Sequence, residues 1–411
     1  MCQDKEQPKG QEKEQKRLAE STLKFTNNLK NVSFKVLGEN AGFKNTFGSP
    51  FSLQSALGLL LLGSKGKTKE QIFANVFPSF QGKPGAEAHR SILHLRKYIS
   101  MPSNADNNSE FNIANRVYVQ KEFKILPEFK EDTESCYLAD AANIDFKQNP
   151  EKARLKINHW VKDQTREKID ELLPSGSLDP RTRVVLVNAI YFHGSWKYQF
   201  DTTNTKKANF IILGENSNAT QSTVLVDMMN QTGNFTVCEP DGIDANVLQM
   251  NYTGDKLSMI IVLPHKSDGL PDVQNSMGRF NYNQCIKGQP VVETPILIPK
   301  FEIKSEYKMK DILSEIGIKD VFDENASDLS GISKNASLYV DEVYHEAYIK
   351  VNEEGTEASA ATGIVIRVKS GLKNFYCTHP FMFMIVENKF GTILFEGNVM
   401  DPRKGVNEKK E

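Results

Sequence analysis

The sequence predicts an α+β protein, with helices gathered early in the chain and strands late. Helix-like segments fall at about 17–38, 51–63, 68–76, 86–99, 126–136 and 150–172, with one more at 308–316. Strand-like runs fall at about 111–120, 183–193, 223–229, 245–252, 257–263, 292–304, 338–352 and 380–400. Elements in this order pack as helices on antiparallel-rich sheets. No Pro/Gly/Ser-rich linker divides the 411 residues and no internal repeat appears, so a single domain is expected over 17–402.

The opening MCQDKEQPKGQEKEQK is polar and lacks an apolar signal core. It reads as a mobile tail over 1–16, ahead of the first helix. The second helix carries the longest apolar run, Ala56–Leu62 with Gly58 inside it, far too short to span a bilayer. Leu338–Val343, Ala347–Lys350 and Phe381–Val386 are the most strand-like stretches, and residues 403–411 form a charged tail.

Composition narrows the function. The chain is 39% hydrophobic and 25% charged, ordinary for a soluble globular protein. A net charge of −1 gives no general electrostatic pull toward nucleic acid. The five cysteines, Cys2, Cys136, Cys238, Cys285 and Cys377, include no C-x-x-C pair. Their odd number rules out full pairing within one chain but allows a bridge. Asn-x-Ser/Thr acceptors stand at Asn31, Asn107, Asn218, Asn230, Asn234, Asn251, Asn325 and Asn335. So many favour a secreted glycoprotein. The polar N-terminus points the other way, so a cytoplasmic protein is the alternative.

Catalytic motifs are missing. There is no G-x-S-x-G elbow. Gly58–Lys65 resembles a phosphate loop superficially, but Ser64 separates Gly63 from Lys65 and four leucines fill the middle. His345-Glu346 begins like a zinc-protease helix without the second His. The seven histidines show no ligand pattern, and neither metal nor cofactor is expected.

Val351–Lys369, VNEEGTEASAATGIVIRVK, is acidic, then small, then β-branched. Taken in twos, Thr356, Ala358, Ala360, Thr362, Ile364 and Ile366 are small or apolar. The interleaved set, Glu357, Ser359, Ala361, Gly363, Val365 and Arg367, is more polar. A strand puts successive side chains on opposite faces, so this loop composition also fits a strand with one buried face. Just beyond lies Lys369-Ser370, a bond any trypsin-like protease could cut.

The hinge of this stretch, Glu353-Glu354-Gly355-Thr356-Glu357-Ala358-Ser359-Ala360-Ala361-Thr362, resembles the reactive-loop hinge of inhibitory serpins. Six further segments agree in order: Thr46–Leu53, Gly63–Thr68, Asn112–Tyr118, Asn188–Trp196, His379–Phe383 and Gly391–Gly397. The resemblance covers about 17–402. Thr378 departs from the Asn or Asp that the family usually carries there. The implied fold has three sheets, eight or nine helices and an exposed reactive loop, here 353–375.

The implied activity is suicide inhibition of a trypsin-like serine protease, and the protein itself is not an enzyme. Counting fourteen from Gly355 puts the scissile bond at Lys369-Ser370, with Arg367-Val368 as runner-up. Attack forms an acyl-enzyme, and the freed segment inserts into the main sheet. Insertion adds on the order of a dozen ladder bonds at roughly 1 kcal/mol each. It would carry the protease roughly 50 Å, at about 3.3 Å per residue. The resemblance pairs Glu353 with Lys300 at the entry point. It assigns Ser49, Ser52, Asn188 and His345 to a polar cluster where the sheet parts, and Trp196 to packing near the sheet top. Arg90, Arg96 and Lys97 lie where some members bind a polyanion such as heparin. Loss of the hinge would instead imply a ligand carrier or chaperone. A monomer is expected.

Overall fold

The structure, a computed structural model, describes residues 8–37, 44–83, 85–101, 110–214, 221–334, 338–356 and 374–404. Its α-helices are α1 (Pro8–Leu37), α2 (Pro50–Gly63), α3 (Gly66–Val76), α4 (Gly85–Ser100), α5 (Pro127–Tyr137), α6 (Pro150–Gln164), α7 (Leu270–Ser276), α8 (Tyr282–Cys285) and α9 (Lys310–Glu315). The first eight strands are β1 (Thr46–Gly48), β2 (Glu110–Gln120), β3 (Asp140–Ile144), β4 (Val184–Ser195), β5 (Lys206–Ile212), β6 (Ser222–Cys238), β7 (Ala245–Asn251) and β8 (Leu257–Pro264). Seven follow: β9 (Val291–Pro299), β10 (Phe301–Lys308), β11 (Val340–Val351), β12 (Gly355–Thr356), β13 (Phe375–Tyr376), β14 (Phe381–Glu387) and β15 (Thr392–Val399).

They form two hydrogen-bonded sheets. One has six strands in the order β10-β11-β12-β4-β2-β3. The other has nine, β1-β15-β14-β8-β7-β6-β9-β13, with β5 added to β6. Three sheets were expected. The difference is one of division, because β6 and β9 stay paired without a break from Met228↔Pro299 to Thr236↔Val291 and so join two halves into one ladder.

Helix α2 explains its own burial. Pro50 sits at the first turn, and the Ser49 side chain caps the helix by accepting from the Ser52 N–H. Apolar residues all round let it lie inside the molecule. Gly58 interrupts the leucines because a Cβ there would run into the Tyr137 hydroxyl. Beside α2, Phe47 stacks on Phe383 and Phe395 at 5.8 and 5.2 Å.

Several elements depart from expectation. Helix α1 starts at Pro8, so 8–16 is not a tail. Glu14 takes an ion pair from Arg90 at 2.7 Å, and the buried Gln15 donates to the Ser91 carbonyl at 2.9 Å. Helix α6 stops at Gln164 instead of running to 172, since Arg166 (φ 49°) and Glu167 (φ 61°) turn left-handed. The 292–304 run splits at Lys300 into β9 and β10, which belong to different sheets. The 380–400 run folds back at Gly391 (φ 76°) into β14 and β15. Cys238 and Cys285 form a disulfide across a Cα–Cα distance of 5.7 Å. Cys136 is also disulfide-bonded, and Cys377 is a buried free thiol.

Candidate functional site: a seam in the six-stranded sheet and the hinge above it

Strands β11 and β4 run parallel and pair directly from Val340↔Val184 to Tyr348↔Tyr191. Above Tyr348 they diverge, and β12 lies between them. Val351 pairs with Thr356 on one side, while Gly355 and Thr356 pair with Ser195 and Gly194 on the other. The hinge is therefore already seated in the sheet by two residues. Thr356 is fully buried, its Oγ1 3.0 Å from the Tyr252 hydroxyl.

The chain reverses into this position by a tight turn. The Asn352 Oδ1 accepts from the N–H groups of Glu354 and Gly355, both at 3.2 Å, and the Asn352 N–H donates to the Gly355 carbonyl at 3.0 Å. Gly355 has φ 153°, and a Cβ there would collide with the Gly194 carbonyl oxygen. Only glycine fits on both counts.

Trp196 holds the turn from outside. Its backbone N–H donates to the Glu354 carbonyl at 2.9 Å and its indole N–H to the Asn352 carbonyl at 3.0 Å. Its ring stacks on Tyr252 at 4.6 Å, and Tyr252 meets Phe192 edge-on at 5.0 Å. Trp196 is thus core packing, as expected, and also a clamp on the hinge backbone.

Glu353 and Lys300 meet at 2.9 Å. Thr205 adds a hydrogen bond to the same carboxylate at 2.7 Å, and the Phe200 N–H donates to the Glu353 carbonyl at 2.8 Å. Burial pushes the Glu353 carboxyl up, but the Lys300 and Thr205 hydrogen bonds outweigh it and hold the group below its usual range.

Lower on the seam, Ser49, Ser52, Asn188 and His345 come together as the resemblance implied, and all are buried. The Ser49 N–H donates to His345 Nε2 at 3.1 Å. Nε2 therefore carries no proton, and Nδ1–H donates to Asn188 Oδ1 at 2.5 Å. The Asn188 amide in turn donates to Ser52 Oγ at 2.6 Å and to Asn115 Oδ1. Ser49 Oγ donates to the Leu394 carbonyl at 2.6 Å. Burial lowers the His345 pKa to about 4, so the ring is neutral at pH 7. Tyr307 stacks on it at 5.9 Å.

Sequence reasoning missed Asn115, Thr205, Tyr252 and Asn352. Asn115 lies inside the Asn112–Tyr118 segment already singled out, and its place two residues from Ile113 and Val117, on their face of the strand, was the available signal. The scissile pair Lys369 and Ser370 lies outside the described residues, as do hinge residues Glu357, Ala358, Ser359, Ala360, Ala361 and Thr362.

The comparisons with known proteins decide the family. The profile described as Serpin (serine protease inhibitor) matches residues 24–402. This chain is a serpin. Among its relatives, human Serpin B3 is 35% identical over 399 residues, spanning 94% of this chain and 99% of that one. Human leukocyte elastase inhibitor is 35% identical over 382 residues, spanning 90% and 96%. Human thyroxine-binding globulin, solved in complex with thyroxine, superposes with a TM-score of 0.83 at 27% identity, spanning 95% and 99%. The serpin fold is therefore shared by proteins named for inhibition and by one named for carrying a ligand.

The serpin's helix α4 holds the basic residues proposed for a polyanion. Arg90 pairs with Glu14, and the partly buried Arg96 donates to the Tyr137 carbonyl. Burial lowers the Arg96 pKa to about 10. Both guanidinium groups are engaged within the protein, which weakens the case for a heparin site.

Proposed function

We propose that this serpin is a suicide-substrate inhibitor of trypsin-like serine proteases and not itself an enzyme. One observation carries the reading: Gly355 and Thr356 already occupy the top of the seam, flanked by β4 and β11. The register Thr356↔Gly194 can be extended downward residue by residue once β11 and β4 part. The residues that follow are small at every alternate position as far as Thr362. Cleavage at Lys369-Ser370 would release this segment with the protease attached as an acyl-enzyme. A ligand-carrier role is the alternative reading; the small residues at alternate positions from Thr356 to Thr362 favour the inhibitory one.

Trypsin and the protein, mixed briefly and run on a denaturing gel, should give a covalent band. Mass spectrometry should place the cut after Lys369. Cleavage without a covalent band, and no gain in melting temperature for the cleaved form, would sink the inhibitory reading.

We assign the protein to an oxidising, extracellular setting, with a cytoplasmic one as the alternative. The support is the Cys238–Cys285 disulfide together with exposed acceptors at Asn31, Asn230, Asn234 and Asn325. A mass loss on enzymatic deglycosylation of protein from its native source would support this, and fully reduced cysteines there would count against it.

A further inference from the structure

A cavity of about 150 Å³ opens beside the lower cluster, between α1, β1, the start of α2, α9 and β15. Its walls are mainly apolar, with Leu29, Phe47 and Met309 among them. His345, which bonds Asn188 across the seam and accepts from the Ser49 N–H, lines it together with Ser49. One rim carries the Lys30–Glu396 ion pair at 2.7 Å, with both side chains largely buried. The cavity also meets Gln274, which is 9% exposed and whose Oε1 is buried with no hydrogen-bond partner.

A buried amide oxygen left unpaired loses its hydration without replacement and is costly. Native proteins rarely keep one without a reason. A space of about 150 Å³ with apolar walls holds one six-membered ring. The charges on the rim are already matched to each other, so an ionic ligand has no net partner there. We infer that this cavity is a binding site for a small neutral aromatic or alicyclic molecule that donates one O–H or N–H to Gln274, and that its occupation holds the seam closed.

The coupling follows from the shared wall. The cavity has its present shape only while the His345 ring accepts from Ser49 and stacks on Tyr307. Inserting a strand between β11 and β4 moves β11, and His345 with it. A ligand that prefers the closed wall shifts the equilibrium by its difference in affinity for the two states, and by no more. This second half rests on the inhibitory reading above, whereas the binding itself does not.

Phenol is a suitable probe, with toluene as the same-sized control lacking a donor. Ligand-observed NMR should show saturable phenol binding with a Kd on the order of 1 mM or tighter, within the limit for seven heavy atoms. Gln274→Met should weaken phenol about tenfold, the effect of one neutral hydrogen bond, and leave toluene unchanged. Leu29→Trp, which fills the space from α1, should abolish both. Saturating phenol should slow amide exchange along Val343–Tyr348. It should also raise the number of inhibitor molecules consumed per trypsin trapped. Unsaturable binding, or equal binding to Leu29→Trp, overturns the site. Saturable binding with no change in amide exchange overturns the coupling. Both measurements are made without protease, so they stand even if the protein traps no trypsin.

Discussion

The two polar clusters along the β11–β4 seam are made of different material. The upper one is knit largely through the backbone: Asn352, Glu353 and Glu354 offer carbonyls to Trp196, Phe200 and Gln199. Its one ion pair is half open to water, with the Lys300 side chain 40% exposed. The lower one is a fully buried side-chain network in which His345, Asn188 and Ser52 bond to one another, while the Asn115 Nδ2 finds no partner. The upper cluster already admits a strand, while the lower one still bars it. If the sheet opens as proposed, resistance should reside around His345 and readiness at Thr356.

The strongest test of this division is Thr356→Arg. Thr356 is fully buried, and a guanidinium there would lack a partner, at a cost of several kcal/mol. Trypsin should then cut the variant without forming a covalent complex on a denaturing gel. A full yield of complex would break the assignment of the hinge.

His345 should come next. Its pKa is lowered to about 4 by burial, so the unfolded chain binds more protons than the native one between pH 6.5 and 4. Native stability should be complete above pH 6.5 and fall as acid is added through that window. The loss from this residue is roughly 3 kcal/mol, at about 1.4 per pH unit. His89, lowered to about 3 by burial, acts in the same direction. Urea denaturation of a His345→Asn variant against the parent isolates the difference, which should shrink with falling pH.

Glu346, the adjacent residue on β11, should show the opposite sign. Burial pushes its carboxyl up to about 7 despite Lys304 at 2.9 Å, and Glu306 stands directly across the sheet. Here the native state binds the extra proton, so stability is fully present below about pH 4.5 and is lost as pH rises through 7. Glu346→Gln should stabilise the protein by about 3 kcal/mol at pH 8 and have little effect at pH 4.5. No gain at pH 8 would mean that Lys304 neutralises the buried charge completely.

Lys300→Gln should have the smallest effect, under about 1 kcal/mol by thermal unfolding, because the Lys300 end of the pair is open to water and Thr205 still bonds the Glu353 carboxylate. Whatever it contributes should vanish as pH falls below the ordinary glutamate range, since Glu353 is held below that range. A loss of several kcal/mol would erase the contrast between the clusters.

The sequence announced the seam better than its surroundings. Glu353, Lys300 and the Ser49–His345 cluster were legible because each sits in a contiguous, recognisable segment. Thr205, Tyr252 and Asn352 were not, because each acts through a contact distant in sequence or through a turn that one side chain stabilises. Strand β5, KKANFII, opens with two exposed lysines and hides its alternation. Helices α7 and α8 have 7 and 4 residues, too few for a helical period to show. Residues 292–304 read as one strand because Pro299-Lys300 turns between sheets without any glycine to mark it. Tyr344 and Tyr348, on the face of β11 opposite His345, showed only alternation and nothing of what covers them.

The like direction of β11 and β4 has a thermodynamic meaning. Parallel ladders have slanted bonds and are slightly weaker per residue than antiparallel ones. A ribbon descending from Thr356 would run against both neighbours, replacing one weaker ladder with two stronger ones. From β10 across to β2 the sheet would then alternate in direction at every step. On the inhibitory reading, the polypeptide would thus hold a better-ordered arrangement of itself within reach, to be taken up once the chain is cut.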